Sequence, residues 1–189
     1  MSYINKYFKK DVLIIGYGLT GKSLSDFLKK QKCDVFVWDD SFDKLNIKSN
    51  EKIRIYNIKN KNIDDFQYIF VSPGIQKEHF LLKKAREKNI TVTSDIELYW
   101  EVKQLENKKN NFIAVTGTNG KSTIALMIAD IIKTKPLGNF GNPILRALEE
   151  KKPQQVIELS SFQLDYITNF RSKISIISNV NKDHISYHK

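Results

Sequence analysis

The sequence predicts an α/β protein made of two consecutive units, each a parallel sheet flanked by helices. Three observations carry this expectation. Short apolar runs alternate with amphipathic stretches along the chain, the pattern of repeated βαβ units. Two glycine-bearing turns, at 16–21 and 116–123, each join an apolar run to a helical one. A polar stretch without periodicity, 106–111, separates the two series and reads as a linker.

In the first series, Val12-Leu13-Ile14-Ile15 reads as a strand. A helix follows over 20–30, with Leu24, Phe27 and Leu28 on one face. Strands are expected at 35–38, 53–58 and 68–71, the last closed by Ser72-Pro73-Gly74. A helix at 78–88, a short strand at 91–93 and a helix at 95–105 complete this part. The second series has a strand at 112–115, a helix at 121–133, a loop at 136–143, a helix at 143–150, and strands at 155–159 and 174–178. The first domain is therefore assigned to 1–105 and the second to 112–189.

Composition bounds the possibilities. The 189 residues suffice for one large or two small domains, and 41% hydrophobic with 28% charged fits a soluble globular protein. No apolar run approaches the roughly 20 residues of a membrane helix, and the N-terminus lacks the apolar core of a secretion signal. Cys33 is the only cysteine, which excludes an internal disulfide and makes cytoplasmic residence the simplest expectation. It reads as a packing residue. The net charge of +10 comes from scattered lysines with no basic stripe interleaved with aromatics, so nucleic acid is not the expected partner. Anionic small substrates suit such a surface.

The second turn, Thr116-Gly117-Thr118-Asn119-Gly120-Lys121-Ser122-Thr123, has the chemistry to hold a nucleotide triphosphate. Glycines let N–H groups turn toward phosphate oxygens, and a helix start adds unpaired N–H donors. The helix dipole contributes only about 0.3–1 kcal/mol at an exposed site, so Lys121 and a metal ion are needed to offset several phosphate charges. Ser122 or Thr123 can offer a hydroxyl to Mg²⁺. The loop is a variant: the usual spacing would place its first glycine at Val115. A glycine-bearing turn with a solvated lysine is the plainer alternative.

The first turn, Gly16-Tyr17-Gly18-Leu19-Thr20-Gly21, fits G-x-G-x-x-G, with Asp39 about 20 residues on, as in a dinucleotide site. An NAD-dependent oxidoreductase is thus a rival reading. The same geometry suits any diphosphate at a helix N-terminus, and a tight turn without ligand is a third possibility.

Taken together, ordered blocks resemble the Mur ligase family, in particular its D-glutamate-adding members. The blocks are Gly18-Leu19-Thr20-Gly21-Lys22-Ser23, Ser72-Pro73-Gly74, Ser94-Asp95-Ile96-Glu97-Leu98, 116–123, Gly138-Asn139-Phe140-Gly141, Glu158 through Leu164, and Asn179-Val180 with Asp183-His184. They span nearly the whole chain. Folylpolyglutamate synthases share the phosphate loop but carry Gly-Ser where this chain has Ser122-Thr123. The alanine-adding ligases have His where this chain has Asn119.

The resemblance implies a Rossmann-like domain for the uridine diphosphate substrate, then an incomplete P-loop-type ATP-binding domain. It implies cytoplasmic ATP- and Mg²⁺-dependent addition of D-glutamate to UDP-N-acetylmuramoyl-L-alanine through an acyl phosphate, in peptidoglycan precursor synthesis, by a monomer without membrane or nucleic-acid partners. Gly117, Thr118, Asn119, Gly120, Lys121, Ser122 and Thr123 would cradle the ATP phosphates, Lys121 stabilising the transferred group. Ser122, Glu158 and His184 would hold Mg²⁺. Gly18, Leu19, Thr20, Asp39, Asp40, Ser72, Pro73 and Gly74 would line the uridine diphosphate end, and Asn139 and Ser160 would touch the pyrophosphate or muramoyl part.

Without the resemblance, Glu158 reads equally as a cap on the Ser160-Ser161 turn, and Asp183-His184 as plain hydrogen bonding. Two departures stand out. Asp40 replaces an expected small hydroxyl residue, and Ile185-Ser186-Tyr187-His188 lacks the family's Asp and Arg. Neither Lys182 nor Lys189 matches the family's carbamylated lysine, and the D-glutamate domain has no counterpart here, so 1–189 is expected to be an inactive fragment.

Overall fold

The computed structural model describes residues 10–42, 54–105, 111–139, 141–148, 154–185 and 187. The chain divides into two compact units, Met1–Asp95 and Ile96–Lys189.

The first unit carries β1 (Asp11–Ile15), α1 (Leu19–Lys30), β2 (Asp34–Trp38), β3 (Arg54–Ile55), β4 (Tyr68–Val71), α2 (Phe80–Glu87) and β5 (Thr91–Thr93). Its five strands are all parallel, in the order β3-β2-β1-β4-β5. Val12, Leu13, Ile14 and Ile15 are wholly buried, as the central position of β1 in the parallel sheet requires. Leu24 and Leu28 of α1, and Leu81, Leu82 and Ala85 of α2, cover the sheet. Each of these leucines, isoleucines and valines contributes roughly 1.5–3 kcal/mol of burial free energy. The chain reverses its winding direction between β1 and β4, and in such sheets the crevice beyond the strand ends at that point receives the ligand.

Helix α2 begins later than the expected 78 because His79 caps it: the imidazole Nδ1 accepts the Leu81 N–H at 3.3 Å. The expected strand at 53–58 shortens to Arg54–Ile55, with residue 53 outside the described residues. Tyr56 then continues the ladder by one bond to the Val37 carbonyl.

The second unit has β6 (Phe112–Thr116), α4 (Lys121–Ile131), β7 (Leu137–Gly138), β8 (Gln155–Glu158), α5 (Ser161–Leu164) and β9 (Ile174–Ile177), preceded by most of α3 (Asp95–Leu105). The sheet is parallel, in the order β7-β8-β6-β9. Val115, Val156, Ala125 and Ala129 form its core, with Ile124, Ile128, Ile132 and Ile176 packed against them.

α3 spans the expected residues, and its side chains reach into this unit. The Glu97 carboxylate accepts the backbone N–H groups of Thr168, Asn169 and Phe170, Trp100 meets Phe170, and Tyr99 bonds Gln155. Of the expected linker 106–111, only Asn111 lies within the described residues.

Two expectations in this unit change. The loop at 136–143 contains the short strand β7, which pairs Gly138 with Glu158. The helix expected at 143–150 is a 3₁₀ turn, Ile144–Leu148, with residues 149–150 outside the described residues. Among the described residues, no helix is long and apolar enough to cross a membrane.

Candidate functional site

In the first unit the glycine-rich turn follows β1 directly. Gly16 has φ +90°, and a Cβ there would lie 2.8 Å from that of Ser72. A Cβ on Gly21 would lie 2.0 Å from the Gly16 carbonyl oxygen, so α1 can approach the turn only with glycine at 21. The buried Ser72 hydroxyl donates to the Gly16 carbonyl at 2.7 Å. Ser72 therefore fastens the two strand ends together, and Pro73 and the exposed Gly74, at φ +89°, follow it into solvent. Gly18 caps α1 without a side-chain bond, Leu19 is 60% exposed and Thr20 half-buried.

Asp39 closes the same turn. Its Oδ2 accepts the Tyr17 N–H at 2.7 Å, and its Oδ1 accepts both the N–H and the hydroxyl of Ser41. Burial alone would raise its pKa, but the bonds from Ser41 and Tyr17 outweigh it and hold the carboxyl below its ordinary value. With three donors already engaged, little acceptor capacity is left for the paired hydroxyls of a dinucleotide ribose. Asp40 is exposed, and its Oδ1 accepts from the Trp38 indole at 2.9 Å and faces His79 Nε2 at 3.2 Å. Those two partners, which sequence reading did not connect to the site, explain how a carboxylate is held where a hydroxyl was expected.

In the second unit the strand ends of β6, β7, β8 and β9 surround a cavity of about 370 Å³. Thr116, Gly117, Thr118 and Lys121 form one wall, Asn139 and Ser160 a second, and Asp183 and His184 a third. The lysine ammonium folds back on the loop, donating to the carbonyls of Gly117 and Thr118, each at 2.8 Å. Gly120, in the left-handed region at φ +80°, caps α4. Asn119, Ser122 and Thr123 are exposed beside the cavity and do not line it.

Glu158 sits at the end of β8 and is 1% exposed. Its Oε1 accepts from Asn139 Nδ2 at 3.0 Å, while its Oε2 is buried without a hydrogen-bond partner. The capping alternative for Glu158 fails: Gln163 caps the Ser160 turn, its Oε1 accepting both the Ser160 N–H and the Ser160 hydroxyl. Ser160 lines the cavity, but its hydroxyl is already engaged. A Cβ on Gly138, at φ +88°, would meet the Glu158 carbonyl oxygen at 2.4 Å, so glycine is what lets the Asn139 strand end come so close. His184, at φ +48°, packs against Phe162 with ring centroids 4.7 Å apart and lies 3.6 Å from Asp183.

The donor set suits Mg²⁺ better than a metal held by protein alone. Among the described residues there is no cluster of three or more His, Cys, Asp or Glu. Mg²⁺ commonly uses one or two carboxylates and leaves its remaining positions to phosphate oxygens and water. The unpartnered Glu158 oxygen fits that role, whereas Ser122, at the start of α4, is exposed outside the cavity lining.

A family profile described as the Mur ligase MurD-like N-terminal domain matches residues 10–94, and one described as the Mur ligase middle domain matches 115–189. The chain belongs to the Mur ligase family. Among Mur ligases, the UDP-N-acetylmuramoylalanine–D-glutamate ligase of Rickettsia bellii is 39% identical over 192 residues, covering 96% of this chain and 40% of that protein. The enzyme of the same name from Buchnera aphidicola subsp. Schizaphis graminum is 38% identical over 193 residues, covering 98% and 42%. The chain thus spans about two-fifths of the length of these relatives.

Two solved Mur ligases share the fold. The UDP-N-acetylmuramate:L-alanyl-gamma-D-glutamyl-meso-diaminopimelate ligase of Neisseria meningitides matches with a TM-score of 0.53 and 16% identity over 95% of this chain and 63% of that one. The UDP-N-acetylmuramate–alanine ligase of Thermotoga maritima gives 0.50 and 22% over 95% and 43%. The expected fold class, two parallel α/β units of Rossmann-like and P-loop type, is what these neighbours share.

Proposed function

We propose that this chain is the substrate- and ATP-binding part of a ligase that joins D-glutamate to the carboxylate of UDP-N-acetylmuramoyl-L-alanine, in peptidoglycan precursor synthesis. One observation carries the reading: a buried carboxyl group, Glu158, keeps one oxygen unpartnered at a strand end beside a lysine-bearing glycine loop. Burying such an oxygen costs about 1–3 kcal/mol, and a cation bound at this strand end, in register with Val115, would offset that cost. The names of the relatives point to the same reaction. An NAD-dependent oxidoreductase would leave this second unit without a role and would need acceptor capacity that Asp39 has already committed.

In this reading the N–H groups opening α4 hold the phosphates of ATP. Lys121 exchanges the carbonyls of Gly117 and Thr118 for oxygens of the transferred phosphoryl group. Mg²⁺, when bound, supplies neutralisation of the phosphate charge; Glu158 would hold it, with His184 on the facing wall for a second ion. A substrate carboxylate oxygen attacks the γ-phosphorus, and ADP leaves. The D-glutamate amine then attacks the acyl carbon and expels phosphate. Phosphoryl transfer of this kind depends on positioning and electrostatics rather than on a protein nucleophile. Gly18, Leu19, Thr20, Asp40, Pro73 and Gly74 lie at the strand ends of the first unit, where the uridine diphosphate would bind. The protein is read as a cytoplasmic monomer.

Titration of residues 1–189 with Mg·ATP and with UDP-N-acetylmuramoyl-L-alanine tests this. Both are expected to bind, and phosphate release is expected to be absent, because the chain spans two-fifths of its relatives' length. Lys121→Ala should weaken ATP binding about tenfold, the worth of a charge-assisted hydrogen bond, and leave the UDP-substrate nearly unaffected. Equal losses at both ligands, or NADH binding in place of the UDP-substrate, would overturn the proposal.

A further inference from the structure

The segment after β9 was singled out in the sequence, yet the proposed chemistry gives Asn179 no role. Its contacts in the fold converge on the phosphate loop. The Asn179 carboxamide meets both peptide groups of Asn119: its Oδ1 accepts the Asn119 N–H at 3.0 Å, and its Nδ2 donates to the Asn119 carbonyl at 3.0 Å. The Asn179 carbonyl accepts the Thr118 N–H at 3.0 Å. The Ser178 hydroxyl also donates to the Asn119 carbonyl, at 2.6 Å. Thr118 Oγ1 accepts the Asn181 N–H at 3.0 Å and donates to the Asn181 carbonyl at 3.2 Å. A Cβ on Gly117 would lie 2.1 Å from the Ser178 hydroxyl oxygen, so glycine there permits the close approach.

We propose that Asn179 is a positioning residue for the phosphate loop, acting through the main chain of Asn119; the inference rests on the nucleotide-binding reading above. A primary carboxamide can pair with one N–H and one C=O at once, as a neighbouring strand would. It thereby holds the exposed tip of the loop. The N–H groups of Thr118 and Asn119 are turned toward this segment, so the groups that face an anion at the start of α4 are the N–H groups of Gly120, Lys121, Ser122 and Thr123. These precede the first intrahelical bond of α4, from the Ile124 N–H to the Gly120 carbonyl. The Thr118–Asn181 bonds extend the same tie toward Asp183 and His184. Loop and facing wall are thus set by one segment, and their separation is set before any ligand arrives.

Amide hydrogen exchange followed by NMR, together with titration by inorganic triphosphate and Mg²⁺, tests this on residues 1–189. In Asn179→Ala the Asn119 amide should lose its protection, and triphosphate affinity should fall roughly fivefold, the worth of hydrogen bonds at a part-exposed site. Asn179→Asp keeps the acceptor for the Asn119 N–H but turns a carboxylate oxygen toward the Asn119 carbonyl. Protection should then persist while affinity falls at least as far, a split that general loss of stability would not produce. Should Asn179→Ala not fold, this second variant decides.

Lys121→Ala separates the two readings. If it weakens triphosphate binding while both Asn179 variants stay within about twofold of the parent, the positioning role is overturned and the nucleotide site stands. If Lys121→Ala has no effect, or the parent chain binds no triphosphate, the nucleotide reading itself falls and takes the inference with it.

Discussion

Replacing Glu158 by Gln should move stability and ligand binding in opposite directions. The parent side chain is 1% exposed and satisfies one oxygen through Asn139, leaving Oε2 buried without a partner. An unsatisfied buried polar atom costs about 1–3 kcal/mol, and more when it carries charge. Glutamine has nearly the same shape. It keeps an acceptor for Asn139 and puts a neutral amide group where Oε2 was. In the absence of metal and nucleotide the variant should therefore be as stable as the parent or more stable by up to about 1 kcal/mol, which is about 2–4 °C for a chain of this size. Saturating Mg·ATP at about 100 times its dissociation constant should stabilise the parent by about 2.7 kcal/mol. The variant, lacking the carboxylate, should gain much less. Thermal unfolding of both proteins in EDTA and in Mg·ATP provides the four measurements. A variant that is clearly less stable in EDTA, yet equally stabilised by Mg·ATP, would show that Glu158 is a structural residue and refute the argument.

Other consequences are equally specific. The Asp39 carboxyl has its pKa held below the ordinary 3.8, despite burial, by the bonds from Ser41 and Tyr17. Its contribution to stability is therefore full above that ordinary value and is lost as pH falls through the lower folded value. Asp39→Asn should flatten this acid limb of the stability curve in urea titrations and leave the neutral region less affected; an unchanged acid limb would rule the linkage out. Gly21→Ala places a Cβ 2.0 Å from a backbone oxygen that cannot turn aside, so it should cost about 1–3 kcal/mol in chemical denaturation and lower UDP-substrate affinity. A neutral result would mean that α1 can shift outward freely. Lys121→Ala should leave unfolding almost unchanged while weakening triphosphate binding, because its ammonium bonds only carbonyls of its own loop; calorimetric titration and thermal unfolding on one sample check both halves.

Much of the architecture was legible before any coordinates. Strands β1, β4 and β6 each contain a run of four apolar residues because both faces of a parallel sheet are covered, and such runs announce themselves, whereas β8 has only Val156-Ile157 between Gln155 and Glu158. Short elements were harder to read. β7 has only Leu137 and Gly138, and its identity depends on the partner strand β8 rather than on any local pattern. The 3₁₀ turn at 144–148 has the composition of a helix, and its length is set by what surrounds it. At the site, the loop residues 117–123 were assigned to a phosphate from their spacing alone. The roles of Ser72, Asp39 and Ser160 were read as ligand contacts, whereas their polar groups are engaged in holding turns together. A polar side chain at a strand end looks the same in sequence whether its partner is a ligand or a backbone carbonyl.

The order of the chain by itself determined that two phosphate-compatible turns exist and which family supplies their pattern. Glycine, lysine and hydroxyl spacing within eight residues is a local property, and local geometry follows from local chemistry. Only the tertiary structure decided which groups remain available. Glu158 keeps a free oxygen because Gln163, five residues on, caps the turn instead. Asn179 grips Asn119 across 60 residues of chain because β6 and β9 are neighbours in the sheet. Hydrogen-bonding capacity is exhausted by whichever partner folding brings near, and that depends on strand order, which no short window of sequence contains.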